Sequence, residues 1–196
     1  MKVVSNLLVV LLLVLTGSAS FAQASSWKVD KSHSNVQFTV THMVVSEVSG
    51  SFKTFDGSFN ASKADLTDAV ITFTADAASI DTDNDYRDNH LKGDDFFNAE
   101  KYPKLSFKSV SFKKKGSNKY ILEGDLTIRD VTKRVKFDVT YGGMITSGGK
   151  TKVGFKVSGA INRFDYNLKW SKVLEGGGLS VADEVQIKLN LEFDKV

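Results

Sequence analysis

The chain of 196 residues contains no cysteine, and that absence excludes more chemistry than any residue present suggests. Disulfide scaffolds, thiol nucleophiles, iron–sulfur clusters, c-type haem attachment and thiolate zinc sites all need cysteine. Stability must come from burial and hydrogen bonding instead. Proline occurs once, as Pro103, and histidine three times, as His33, His42 and His90. The histidines show no HxxH or HExxH spacing, so no metal is expected. An excess of one charge is also missing. There are 26 Lys+Arg against 23 Asp+Glu, and the longest basic run, 113–115, sits beside Gly116 as a solvated hairpin tip would. Nucleic-acid binding calls for a broader basic stripe with stacking aromatics, and it is not expected here.

Long hydrophobic runs are scarce too. The one that exists, 7–15, follows Lys2 and precedes the small residues Gly17, Ser18, Ala19 and Ser20. That is the layout of a secretory signal peptide over 1–22, with cleavage after Ala22 or Ala24. Nine apolar residues fall well short of the ~20 that a membrane-spanning helix needs. With no cysteine at the junction, a lipid anchor is not expected either. The expectation is a periplasmic or secreted protein that does not span a membrane. Its mature part, 23–196, is long enough for one domain with a real core.

Within that part, alternation with period two dominates, as half-buried strands require. It runs through Val36, Phe38, Val40 and His42, then Ile71, Phe73 and Ala75. It returns at Tyr120, Leu122, Gly124, Leu126 and Ile128, and again at Val135, Phe137, Val139 and Tyr141. Val153, Phe155 and Val157 repeat it, and Val185 to Phe193 close the chain. Two more strands are expected at 52–60 and 105–112, each with a β-bulge where the apolar parity slips, between Phe52 and Phe55 and between Phe107 and Val110. Turns are expected at Asp56-Gly57, at 115–118, at Gly142-Gly143 and at 147–149. The pattern predicts an all-β, antiparallel barrel or sandwich of about eight strands. Two stretches lack alternation. One, 77–103, holds a short helix, and the other is 162–183; both could cover a barrel mouth.

No catalytic constellation emerges. The triplet Asp81, Asp83, Asp85 resembles the start of a calcium loop, but Tyr86 and Lys92 stand where glycine and glutamate are required, so helix capping is the better reading. There is no G-x-S-x-G elbow, and Gly176-Gly177-Gly178 lacks the lysine of a phosphate loop. The carboxylate pairs Asp94-Asp95 and Asp183-Glu184 fall in polar loops. No cofactor is expected. What remains is a phenylalanine-rich barrel that either packs its own interior or holds one apolar ligand.

Particular residues narrow the choice. Trp27, Asp30, His33 and Ser34, then Val36-Gln37-Phe38 and His42, open the mature chain. A G-x-F-x-x-F-x-G run follows at Gly50, Phe52, Phe55 and Gly57. Then come His90-Leu91, Asp95-Phe96-Phe97-Asn98-Ala99, Tyr102-Pro103 and Gly124-Asp125-Leu126-Thr127-Ile128-Arg129, with Asn162-Arg163 and Asp183-Glu184-Val185 near the end. Together they resemble the YceI-like family across essentially the whole mature chain. One departure is the run Phe164-Asp165-Tyr166-Asn167, where the family often has Asp-Phe-Gly after Asn-Arg.

The resemblance implies an extended, lipocalin-like eight-stranded barrel whose hydrophobic cavity holds a polyisoprenoid or similar amphiphile, without catalysis. The cavity wall is then expected from Phe38, Val40, His42, Phe73, Phe107, Leu126, Ile128, Phe137, Phe155 and Val157. The mouth is expected from His90, Leu91, Phe96, Phe97, Arg163 and Phe164. Two alternatives stay open: a packed barrel serving as an interaction module, and an isoprenoid-modifying enzyme with polar groups around His42, Arg163 and Asp165. Transient membrane contact and a homodimer are both compatible with the sequence, and nothing in it argues for either.

Overall fold

The computed structural model describes residues 24–196, so the expected signal segment, 1–22, lies outside the described residues. The chain opens with β1 (Ser25–Val29), β2 (Asn35–His42), β3 (Ser46–Phe52) and β4 (Phe55–Ala61). After β5 (Val70–Asp76) come a 3-10 turn, the two-residue β6 (Ile80–Asp81) and one helix, α1 (Asp85–Lys92). Five long strands complete it: β7 (Lys104–Lys114), β8 (Lys119–Ile128), β9 (Val131–Ser147), β10 (Lys150–Asn162) and β11 (Val181–Lys195).

These segments combine into eight staves. The edge of β11 pairs with β2 along its first part and with β1 at its end, so β1 and β2 form one interrupted stave. Strands β3 and β4 form the next, pairing with β2 and β1 respectively. Strands β5 and β6 form the third, against β4 and β3. From β5 the pairing continues through β7, β8, β9, β10 and β11, and the sheet closes on itself as an antiparallel eight-stranded barrel. Closure through β1 and β11 removes the edges of the main ring, while 46–50 of β3 and 141–147 of β9 keep a strand partner on one side only.

The expected bulges and turns met different fates. In β7 the register slips between Ser109 and Ser111, with Val110 pushed outward and 55% exposed. The stretch 52–60 is not one bulged strand. It kinks at 53–54, so that Phe52 and Phe55, three apart, both point inward and are buried. Asp56-Gly57 is not a turn but lies inside β4, where Gly57 faces Phe73 across the strand pair. Gly142-Gly143 likewise lies within β9, at the irregularity opposite Gly154 and Phe155; Gly143 takes φ 113°, which bends the strand rather than ending it. The true hairpin tip follows at Gly148-Gly149, both left-handed, the geometry of a two-residue turn matched to strand twist. The final strand begins at Val181, four residues before the alternation at Val185 announced it.

Helix α1 begins as expected for a capped start. Asn84 Oδ1 accepts from Arg87 N at 2.9 Å, with Asp85 and Asp88 in the first turn facing the positive end of the helix. Asp81 accepts from Asp83 N and faces Lys53 at 3.2 Å, and these contacts hold its carboxyl below the usual range. Asp88 is buried and takes both the amide and the hydroxyl of Thr82. The aspartates of 81–88 are thus spent on a turn and a helix cap. Among the described residues, no helix is long and apolar enough to cross a membrane.

The interior divides in two. A large cluster fills one end of the barrel with aromatics: Trp27 stacks on Phe59 at 5.4 Å and Phe112 on Tyr120 at 4.6 Å, with Phe155 and Phe193 edge-on to Phe59. Each such pair contributes ~0.5–1.5 kcal/mol beyond its buried area. A smaller cluster, Phe96, Leu126, Ile128, Tyr166 and Leu168, seals loops against the other end. Between them the barrel is not full.

Candidate functional site

The unfilled part is a cavity of about 140 Å³ in the middle of the barrel. Its lining comes from inward positions of nearly every stave, and apart from Gln37, Thr74 and Ser106 every lining residue is apolar. Phe38, Phe73, Phe107 and Phe137 supply the rings; Leu126, Ile128 and Val157 fill between them. Toward the aromatic end it adjoins a narrower space of about 40 Å³, which shares Ile71, Leu122, Val157, Leu191 and Phe193 and adds Phe155. Such a space offers no polar partner to water, and apolar cavities of this kind stay dry.

Phe38 also borders a second pocket, of about 220 Å³. This outer pocket mixes apolar and polar groups. Val40, His42 and Val48 come from the β2–β3 hairpin, while Thr82, Tyr86, Arg87, His90 and Leu91 come from α1 and its approach; Phe96 and Trp170 close it from the loops. Arg87 is held in place by Thr82, with Nε donating to Oγ1 and Nη2 to the carbonyl, both at 2.7 Å. His90 Nε2 lies 3.0 Å from Asp95 Oδ2, and its ring stands edge-on to Phe96 and Trp170. A hydrocarbon interior beside a pocket with imidazole and guanidinium groups is a geometry that suits an amphiphile, tail inward.

Comparison with known proteins agrees with this architecture. The model of the YceI-like domain matches residues 27–193. The chain belongs to the YceI-like family. A UPF0312 protein of Staphylococcus epidermidis is 39% identical over 166 residues, covering 84% of this chain and 94% of that protein. The solved structure of Burkholderia cenocepacia BcnA superposes with a TM-score of 0.71 at 29% identity, covering 84% of this chain and 98% of the other. The Campylobacter jejuni YCEI protein gives 0.68 at 30% identity, covering 80% and 90%. A polyisoprenoid binding domain from Saccharophagus degradans shares the fold, with a TM-score of 0.64 at 14% identity, covering 87% and 98%.

In this YceI-like barrel the residues singled out from sequence are spread over three spaces. Phe38, Phe73, Phe107, Leu126, Ile128, Phe137 and Val157 line the central cavity; Phe155 lines its narrow extension. Val40 and His42 sit in the outer pocket rather than deeper, alongside His90, Leu91 and Phe96. Phe97 packs edge-on against Phe52 at 5.7 Å instead of facing the pocket. Arg163 and Phe164 line none of these spaces. Arg163 is 3% exposed, and its donors go to four backbone carbonyls: Nε to Ala182, Nη1 to Leu168 and Trp170, and Nη2 to Val181. Burial pulls its pKa below the ordinary arginine value, Asp183 opposing. It is a clamp that shapes 163–182, with Phe164 under its guanidinium at 4.3 Å.

Arg129 makes a second clamp that sequence reasoning passed over. From the tight turn between β8 and β9 its Nη1 donates to the carbonyls of Asp94, Phe96 and Asn167, tying both covering loops to one hairpin. Nothing in composition signals this. Trp170, Arg87 and the inward row Ile187, Leu189, Leu191 and Phe193 were also missed as lining residues. The row was legible, since its parity is that of Val185. Trp170, a lone aromatic in an irregular stretch, was a weaker signal.

At the far end of the YceI-like barrel, Lys152 Nζ stands 2.8 Å from carboxylates of Asp30, Glu192 and Asp194. His33 Nδ1 adds a contact to Asp30 at 2.8 Å. Asp30, His33 and Glu192 are close enough together to suggest a metal site, but the lysine ammonium already supplies the positive charge there. Hydrogen bonds from Lys152, Ser32 and His33 hold the Asp30 carboxyl far below the carboxylate range, and Asp30 in turn raises His33. The group ties β1, β10 and β11 together by charge.

Proposed function

We propose that this protein is an exported, non-catalytic carrier that sequesters a long apolar amphiphile, with a polyisoprenoid or isoprenoid-quinone-like lipid as the ligand class. The observation that carries the proposal is a cavity walled by hydrocarbon with a mixed polar and apolar pocket beside it, Phe38 lining both. Each methylene that leaves water for such a wall gains ~0.8 kcal/mol, so a long tail binds without specific polar contacts. The headgroup stays at the mouth, where His42, Arg87 and His90 offer donors. The name of the Saccharophagus degradans domain, a fold relative, fits this ligand class. The signal-like N-terminus supports a periplasmic or secreted location.

Access to lipid is part of the same reading. The tip of the β2–β3 hairpin exposes Met43, Val44 and Val45, and Tyr86 and Val173 are exposed near the same opening. An apolar rim around the mouth suits transient contact with a membrane surface, across which a tail could pass without meeting water.

Native mass spectrometry of the mature protein, purified without detergent and then extracted with organic solvent, tests the proposal. A stoichiometric adduct that extracts as a polyprenyl or quinone-like species supports it. A bare mass that stays unchanged after incubation with polyprenyl lipids refutes it and favours an interaction module. Turnover of an added isoprenoid would refute the non-catalytic part alone.

A further inference from the structure

Four of the rings that wall the cavity share a feature the alternation pattern does not explain. Each lies over an inward-facing glycine on a neighbouring strand. Phe38 stands directly opposite Gly50, and Phe73 directly opposite Gly57. Phe137 faces Gly159, which continues the register of Asp138 with Ser158. Phe107 reaches diagonally to Gly124, two residues along from its partner Leu126. In every case a Cβ built on the glycine would stand less than 3.0 Å from the phenylalanine ring, where ordinary contact begins at 3.4 Å. The pairs are spread around the barrel, across β2–β3, β4–β5, β7–β8 and β9–β10.

An inward phenylalanine has two ways to sit in a small barrel. It can project across the lumen and fill it, or it can fold down against the wall. Folding down needs a neighbour with no side chain, because the ring then occupies the volume where that Cβ would be. Glycine in a strand interior costs stability and otherwise marks a close approach of this kind. Four repetitions, all on rings that border the same cavity, make the arrangement a property of the lumen rather than of one strand.

We infer that Gly50, Gly57, Gly124 and Gly159 are positioning residues that set the bore of the ligand cavity by recessing Phe38, Phe73, Phe107 and Phe137, and so determine how bulky a chain it admits. The inference deepens the carrier reading and rests on it for its meaning, though not for its geometry. Gly50 holds a particular place: its ring partner, Phe38, borders both the central cavity and the outer pocket, so the position of that ring governs what separates them. A chain with methyl branches needs more width than a straight one, and the recesses supply it.

The test begins with Gly57→Ala and Gly159→Ala. At both sites the ring is the principal obstacle, whereas a methyl at Gly124 would also strike the Lys108 carbonyl. Xenon uptake, read by crystallography under pressure or by xenon NMR, reports an empty apolar lumen whether or not the natural ligand is known. The wild type is expected to bind xenon in the central cavity, each single variant to lose most of that uptake, and the pairs Gly57→Ala/Phe73→Ala and Gly159→Ala/Phe137→Ala to regain it. Geranylgeraniol, added as a branched-chain probe, is expected to bind about tenfold more weakly to the single variants.

Single variants that take up xenon like the wild type overturn the inference, and so does a wild type that takes up none. Should a single variant fail to fold, its paired variant decides: recovery of folding and xenon uptake upholds competition between methyl and ring, and continued failure overturns it. A wild type that binds xenon but not geranylgeraniol leaves the bore argument standing and refutes the carrier reading instead.

Discussion

Replacing Arg163 by methionine removes four hydrogen bonds and leaves their acceptors behind. The side chain is 3% exposed, and the carbonyls of Leu168, Trp170, Val181 and Ala182 accept from it at 2.6 to 2.9 Å. A hydrogen bond from a charged donor contributes ~1.5–3 kcal/mol, but four to one group do not add, because exposed carbonyls recruit water once the clamp loosens. Methionine recovers some apolar burial along the stem. The net loss expected is that of breaking a buried charged network, about 3–5 kcal/mol. For a domain of this size it lowers the melting temperature by roughly 10 °C. Urea unfolding measures the free energy, and limited proteolysis locates the damage, which should fall in 163–182. A loss below about 1 kcal/mol, or cleavage elsewhere first, would show that the covering loop is held by Tyr166 and Leu168 packing alone. Arg163→Lys should lie between, since one ammonium cannot reach both ends of the fork.

Three further outcomes are expected. Because Asp30 raises His33 above its ordinary value of 6.5, the stability from that contact is complete below pH 6.5 and disappears as pH rises through the elevated value; the depressed Asp30 carboxyl contributes above pH 3.8 and is lost as pH falls. NMR titration of Lys152→Met should therefore show the Asp30 carboxyl moving back toward its ordinary range. The chain has two tryptophans, Trp27 buried in the aromatic end and Trp170 at the mouth, so a bound amphiphile should change emission from Trp170 only. A response that survives Trp170→Phe would place the ligand elsewhere. Val44 adopts φ 67°, a left-handed conformation that β-branched residues resist, and Val44→Asn should stabilise the protein by ~0.5–1 kcal/mol in thermal unfolding.

How far the sequence carried depended on the range of the cause. Strands such as β8, whose Tyr120, Leu122, Leu126 and Ile128 are all buried, were legible because one residue in two must face the core. The eight-stranded barrel and the family followed from such runs together with the quoted motifs. Glycine misled at Gly57 and Gly143. Local chemistry makes Asp-Gly and Gly-Gly turn signals, but one glycine is required by a ring on the next strand and the other by a bend. The clamp of Arg163 was illegible for the same reason: its partners lie up to nineteen residues away, and no spacing encodes which carbonyls a loop will leave without donors. Phe38, Phe73 and Phe107 were identifiable as inward residues, yet nothing local told whether their rings would fill the lumen or lie against it.

One strand closes the circle. Strand β11 holds β10 on one side, its neighbour in sequence, and on the other side β2 and β1, where Leu189 meets Val36 and Lys195 meets Trp27 across roughly 150 to 170 residues of chain. Without β11 the remaining strands would form an open, twisted sheet with two unsatisfied borders and an apolar inner surface exposed to solvent. An open sheet of that kind would be prone to pair with its own kind. Loss of the final dozen residues would therefore do more than weaken one seam. It would leave the protein as a trough, with no enclosed space for anything to occupy.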